Sequence, residues 1–164
     1  MIRTATLDDR PAILDVVRAA FGREDEVALV ERIWTLDEYV PDLDLVALVD
    51  GTVVGHVLHS TGYVGEHRLL GLAPLAVHPD HQRDGIGTTL LREAIARANA
   101  AGHTAIVLLG HPDYYARVGF RPARELGIAS AIDLPSDPDP FMALPLDAYD
   151  PAIRGTFRYA WDEP

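Results

Sequence analysis

The chain has 164 residues, 48% of them hydrophobic and 24% charged, which suits a single ordinary globular domain able to bury a core and excludes overall disorder. It contains no cysteine, so disulfide scaffolds, thiolate metal sites and cysteine nucleophiles are excluded. Fourteen basic against 25 acidic side chains give a formal charge of −11, which repels phosphate backbones and argues against nucleic acid as a partner.

No segment reads as an export signal: Met1 to Thr6 runs straight into Asp8 and Asp9, with no apolar stretch behind a basic head. No run approaches the roughly 18 apolar residues that span a bilayer. A cytoplasmic location and no membrane partner are expected.

In chain order, Thr6 opens the first helix with a Thr-x-x-Asp capping pattern, and Pro11 fits its first turn. Ile13, Val16, Val17, Ala20 and Phe21 recur at helical spacing as the apolar face, and Gly22 stops the helix. A second helix runs from about Glu24 to Trp34, with Val27, Val30, Ile33 and Trp34 inward. Leu45–Val49 reads as a strand, Asp50–Gly51 as a type I′ turn, and Thr52 to about Thr61 as the return strand. After a turn at Gly65–Glu66, Leu69–Val77 forms a third antiparallel strand. Pro74 lies inside it; proline cannot donate to a ladder, so a bulge is expected where this strand parts from a neighbour.

A long helix follows from about Gly85 to Ala101, burying Ile86, Leu90, Leu91, Ala94, Ile95 and Ala98. Thr104–Leu109 is a buried strand, and the strand–helix–strand order implies a parallel pair with a right-handed crossover. A short helix spans about Asp113 to Val118 and closes at Gly119. Pro122 to Pro140 reads as the longest loop, and Phe141–Leu146 and Gly155–Ala160 as two closing strands.

The most informative segment is Val77-His78-Pro79-Asp80-His81-Gln82-Arg83-Asp84-Gly85-Ile86-Gly87-Thr88. A strand ends, a turn follows, and a long helix starts at two glycines one residue apart. The N–H groups and partial positive charge of a helix start suit phosphate oxygens, and glycines permit close approach. The third glycine of a dinucleotide fingerprint and the Gly-Lys-Ser/Thr of a Walker loop are both absent.

Gln82-Arg83-Asp84-Gly85-Ile86-Gly87 resembles the acetyl-CoA pyrophosphate motif of the GNAT superfamily of N-acetyltransferases. Pro74 to Pro79 resembles the strand that leads into that motif, and Tyr114-Tyr115-Ala116-Arg117-Val118-Gly119-Phe120 the family's helix ending in Gly-Phe. Leu108 to Pro112, Phe141 to Leu144 and Arg154 to Tyr159 resemble the YhbS-like group of predicted acetyltransferases within it. The resemblance implies an α/β fold of the α+β type, the GNAT-like acyl-CoA N-acyltransferase fold. Its mixed, mostly antiparallel central sheet would be split by a bulge and carry helices on both faces, as one N-acetyltransferase domain over residues 1–164.

It further implies acetyl transfer from acetyl-CoA, as co-substrate, to a primary amine on a small molecule or protein, by direct attack in a ternary complex. Backbone groups of Arg83, Asp84, Gly85, Ile86, Gly87 and Thr88, with Gln82 in the same motif, would hold the pyrophosphate. Leu75, Ala76 and Val77 would pair with the pantetheine arm. Tyr115 matches the family's general-acid tyrosine; a phenol near pKa ~10 suits a thiolate leaving group near ~8.5. Glu24, Glu26, His56, His59, Glu66 and His67 are candidate bases, each expected at the surface, with a water relay as the default. His78-x-x-His81 has ligand-like spacing, but no metal is expected, since no further ligands complete a site. Asp133, Asp137 and Asp139 make an acidic loop, a solvated stretch or a wall that attracts a cation. Trp34 and Trp161 are expected to pack, and a homodimer contact could come from the two C-terminal strands. A coenzyme-A-binding sensor without turnover, and an acyltransferase using another acyl-CoA, stay open.

Overall fold

The computed structural model describes residues 1–162; Glu163 and Pro164, the end of the expected domain, lie outside the described residues. The chain divides into two units, Met1–His59 with Ala73–Arg97, and Ser60–Leu72 with the chain from Ala98 on. The first carries β1 (Ile2–Thr4), α1 (Arg10–Phe21), α2 (Asp25–Ile33) and β2 (Leu45–Val49). β3 (Thr52–Val64), β4 (His67–Val77) and α3 (Ile86–Ala100) each run through both. The second holds β5 (Ala105–Leu109), α4 (Pro112–Ala116), β6 (Arg121–Pro122), β7 (Ile128–Ser130), β8 (Phe141–Pro145) and β9 (Gly155–Tyr159). Among the described residues the strands are ordered β1-β2-β3-β4-β5-β8-β6, with β9 pairing β3 and β7. Only β4–β5 and β7–β9 are parallel among the registered pairs.

In the first unit, the chain enters through a carboxylate. Asp9 accepts from Arg3 Nη1 at 2.6 Å and Nη2 at 3.0 Å, and from the Thr6 amide at 2.7 Å and hydroxyl at 3.0 Å. It thereby ties β1 to the start of α1, as the capping pattern anticipates. Ile13, Val16 and Val17 are buried, but Phe21 is 38% exposed, against the expected inward face. It is the last residue before Gly22 turns left-handed at φ 68, so the helix ends before its position can be covered. In α2, Val27, Val30 and Ile33 are buried as the spacing requires.

The Asp50–Gly51 turn has φ values of 51 and 78, the pair of left-handed residues that a type I′ hairpin demands. β3 beyond it is buried almost without interruption from Val54 to Gly62, so it packs on both faces. Gly55 makes room for α3: a Cβ there would stand 2.9 Å from Leu90 Cδ1 and 3.0 Å from Ile86 Cγ2. Pro74 is buried inside β4. The pairing of β4 with β5 covers Leu70 and Gly71, which precede it. Among the registered pairs, a register shift lies on β2 against β3, between Ala47 and Leu48.

In the second unit, a core of Val64, Leu69, Val107, Phe141, Ile153 and Phe157 is sealed by Trp161, stacked on Tyr159 at 4.1 Å. Trp161 therefore packs within its own chain. The Pro122–Pro140 stretch is not one loop. It contains a 3₁₀ turn at Ala123–Leu126 and β7, which pairs β9 from Ile128↔Gly155 to Ser130↔Phe157. A three-residue strand is too short to show period-two alternation. β8 pairs β5 along its length and β6 at Met142 and Ala143, and β9 pairs β3 and β7.

The Arg3 hydrogen bonds hold the Asp9 carboxyl well below the usual carboxylate range, against the opposing effect of burial. A depressed folded-state pKa stabilises above the unfolded value, near ~4, and that contribution fades as pH falls below it. Asp9→Asn is expected to cost about 1–2 kcal/mol at neutral pH, and the gap to the parent to narrow in urea titrations repeated towards pH ~3.

Candidate active site

The turn between β4 and α3 belongs to the first unit. After Val77, Pro79–His81 makes one 3₁₀ turn, Gln82 is extended at φ −66 and ψ 148, and α3 begins at Ile86. The first helical bond runs from the Thr89 N–H to the Gly85 carbonyl at 3.0 Å. The N–H groups of Ile86, Gly87 and Thr88 thus lie ahead of the ladder. Arg83 and Gly85 are both left-handed, at φ 74 and 80. For arginine this is a sparsely populated state costing on the order of 1 kcal/mol, in a turn of the kind that gathers successive N–H groups on one side. The sequence carries no mark of the Arg83 conformation.

Gln82 spends its side chain on the turn itself. Its Nε2 donates to the Val77 carbonyl at 3.0 Å, tying the strand end to the helix start. That carbonyl is therefore engaged inside the chain. Residues 82–85 are exposed, Gly87 is buried, and Ile86 and Thr88 are half-buried. On β4, Ala76 is buried and Leu75 and Val77 are half-buried. The ten residues from Leu75 to Val77 and Gln82 to Thr88 thus form one continuous piece of the first unit.

Tyr115 lies in the second unit, on α4. Its amide and that of Tyr114 donate to the His111 carbonyl at 3.3 and 3.2 Å, so His111 caps the helix with its backbone. The ring meets Tyr114 edge-on at 5.0 Å and Phe120 at 5.9 Å. Burial, then the neighbouring Tyr114, pushes the phenol up to about 12. It stays protonated throughout the neutral range and is a donor there, not a base.

The candidate bases divide. Glu24 and Glu26 are each hydrogen-bonded to an arginine, Arg18 and Arg23, which lowers both carboxyls and makes them weaker proton acceptors. Glu66 and His67 are exposed. His56 and His59 are not surface groups; both are fully buried. β3 is covered on both faces, whereas a one-faced strand would leave alternate residues in solvent.

His56 leads to a group that sequence reasoning missed. Asp44 is 1% exposed and accepts from His56 Nε2 at 2.6 Å, Tyr39 Oη at 2.6 Å and Trp34 Nε1 at 3.0 Å. The Arg10 guanidinium lies 4.4 Å above the Trp34 ring. Burial pushes the Asp44 carboxyl up, but the bonds from His56, Tyr39 and Trp34 outweigh it and hold it below its ordinary value. The available signal was a carboxylate set between Leu43 and Leu45 in an apolar run.

In the acidic loop, Asp139 is structural: it accepts from Arg124 at 2.7 Å and from the Phe141 amide at 3.0 Å. Asp133 and Asp137 are exposed. The His78 and His81 rings meet edge-on at 6.4 Å, and no group of three or more His, Asp or Glu able to hold a metal occurs among the described residues. No helix of the described residues is long and apolar enough to cross a membrane.

This arrangement, a strand running into a glycine-flanked helix start within a mixed sheet, matches known proteins. Residues 10–120 match the profile of the Acetyltransferase (GNAT) family. The chain belongs to the GNAT family of N-acetyltransferases. It is 34% identical over 134 residues to the uncharacterized N-acetyltransferase YjhQ of Escherichia coli, covering 79% of this chain and 74% of that one. The solved structure of E. coli YhbS in complex with CoA superposes with a TM-score of 0.86 at 30% identity, over 97% of this chain and 88% of that one. A GNAT acetyltransferase of Brucella melitensis in complex with acetyl-CoA gives 0.79 at 30% identity, over 97% and 94%.

Truncating Asp44 leaves a buried histidine and two half-buried donors without their acceptor. Asp44→Ala is expected to cost about 3–5 kcal/mol, read as a lower urea midpoint.

Proposed function

We propose that the chain is a single N-acetyltransferase domain that moves the acetyl group of acetyl-CoA to a primary amine by direct attack in a ternary complex, in the cytoplasm. The turn from Gln82 to Thr88 carries this reading. It offers N–H groups ahead of a 15-residue helix, two left-handed residues and one arginine, a donor set that fits a pyrophosphate. The CoA and acetyl-CoA held by the YhbS and Brucella structures support the same donor.

In this reading the amides from Arg83 to Thr88 bind the pyrophosphate and the Arg83 guanidinium offsets its charge. Leu75 and Ala76 supply backbone groups to the pantetheine arm, and Val77 its amide, since its carbonyl already serves Gln82. The amine nitrogen bonds to the acetyl carbon as the carbon–sulfur bond breaks, and Tyr115 gives its proton to the departing thiolate. The amine's own proton leaves through water, because the two first-loop glutamates are tied to arginines. The chain has no thiol to form an acyl-enzyme. The charge of −11 favours a cationic acceptor.

The composition simplifies the assay. With neither cysteine nor lysine in the chain, released CoA is read by a thiol reagent without background, and no lysine of the protein competes as acceptor. Calorimetry is expected to detect acetyl-CoA binding that Gly87→Glu abolishes, because the added carboxylate fills and charges the turn. No heat from the folded parent would reduce the segment to an ordinary turn; binding without thiol release over a broad amine panel would favour a sensor.

Tyr115→Phe is expected to lower kcat by about a hundredfold or more with little change in KM for acetyl-CoA. With the phenol near 12, the parent's rate should show no loss from its ionisation up to pH ~10. An unimpaired Phe variant would remove Tyr115 from the reaction.

A further inference from the structure

Gly110 follows the last residue of β5 and precedes α4 by two residues. Its φ lies outside the left-handed region, so backbone torsion does not demand glycine there. Space does. A Cβ at 110 would stand 2.3 Å from Tyr115 Cε2, 2.8 Å from Cδ2 and 3.2 Å from Cζ, inside the ring's own volume.

The backbone is held on both sides of the contact, so the ring is the part that must give. The Gly110 amide donates to the Pro140 carbonyl at 2.9 Å, which anchors its backbone beside the start of β8. The Tyr115 carbonyl accepts from the Val118 and Phe120 amides at 3.1 and 3.2 Å. On its other sides the Tyr115 ring meets Tyr114 and Phe120, and Phe120 is only 3% exposed. The phenol therefore sits in a slot with two aromatic walls and one wall of bare backbone.

We propose that Gly110 is the positioning residue of Tyr115: by having no side chain it lets the ring lie against the β5 end, and so sets where the phenol oxygen is presented. The inference rests on the reading of Tyr115 as proton donor, but its steric core can be tested apart from it. Any side chain at 110 displaces the ring, and the burial that keeps the phenol protonated is lost with it. Gly110 acts only through Tyr115 and touches no reacting atom itself.

The test is a double-variant cycle on the full chain. Gly110→Ala is expected to lower the urea midpoint clearly when Tyr115 is present and hardly at all beside Tyr115→Ala, where the new methyl enters vacated space. Equal losses in both backgrounds would overturn the proposal. Should Gly110→Ala alone fail to fold, a folded Gly110→Ala/Tyr115→Ala pair supports it and an unfolded pair overturns it.

Two readouts separate positioning from plain packing. First, in Gly110→Ala the displaced phenol should ionise in the ordinary tyrosine range. Near pH ~11 that variant should exceed Gly110→Ala/Tyr115→Phe by about one tyrosinate in absorbance, whereas the parent and Tyr115→Phe should absorb nearly alike. An unchanged phenol titration in folded Gly110→Ala would refute the displacement.

Second, with acetyl-CoA and any amine that the panel shows to be turned over, Gly110→Ala should lower kcat about a hundredfold at nearly constant KM, and cost nothing further beside Tyr115→Phe. If Tyr115→Phe keeps full kcat, the acid assignment falls while the stability cycle still decides the steric claim.

Discussion

In the proposed reading the start of α3 holds an anion, and it does so only as firmly as the helix itself is held; that hold begins at a missing side chain. At Gly55 the helix meets the backbone of β3, with Leu90 and Ile86 against the glycine. Leu90, Leu91, Ala94 and Ala98 continue the buried stripe behind that contact. At the far end Arg97 reaches the Thr4 hydroxyl at 2.9 Å and Glu93 at 2.9 Å, so β1 grips the last turns. The helix is fixed along its length, and its first N–H groups are fixed with it. Backbone donors placed this way need no reorganisation when an anion arrives, which is what distinguishes a preformed site from a flexible basic patch.

The same economy runs through the turn. Gln82 is polar, exposed and placed at a site that invites a ligand, yet its amide is engaged in closing the turn on the Val77 carbonyl. Arg83 accepts an unfavourable torsion. A glycine would adopt φ 74 without strain but would bring no charge; the arginine sits there at a local cost that the surrounding structure absorbs.

Much of this was legible in the residues. The Thr6–Asp9 cap, the Asp50–Gly51 hairpin, the long helix after the double glycine and the parallel strand behind it each follow from local patterns with one dominant reading. So does the position of the turn, because strand, glycines and amphipathic helix occur in unbroken succession. What escaped depends on contacts distant in sequence. Asp44 meets His56 across a strand pair, and nothing adjacent to either announces the other. His56 and His59 were expected in solvent because an isolated histidine on a strand gives no sign that both faces are covered. β7 escaped because three residues carry no period, and it exists by virtue of pairing with β9. Nothing adjacent to Gly110 marks why it is glycine; the Tyr115 ring against it does.

The pairing of β9 carries a consequence for synthesis. Gly62 to Val64 on β3 find their partners at Tyr159 to Phe157, and β7 pairs with the same strand. Emerging from a ribosome at roughly 5–20 residues per second, the chain exposes the far half of β3 for several seconds before that partner is made. The residues of the first unit end at Arg97, so all of them are synthesised before β9 emerges. The second is completed by a late strand: Phe141 and Ile153 precede Phe157 and Tyr159 into the cluster around Val64, Leu69 and Val107.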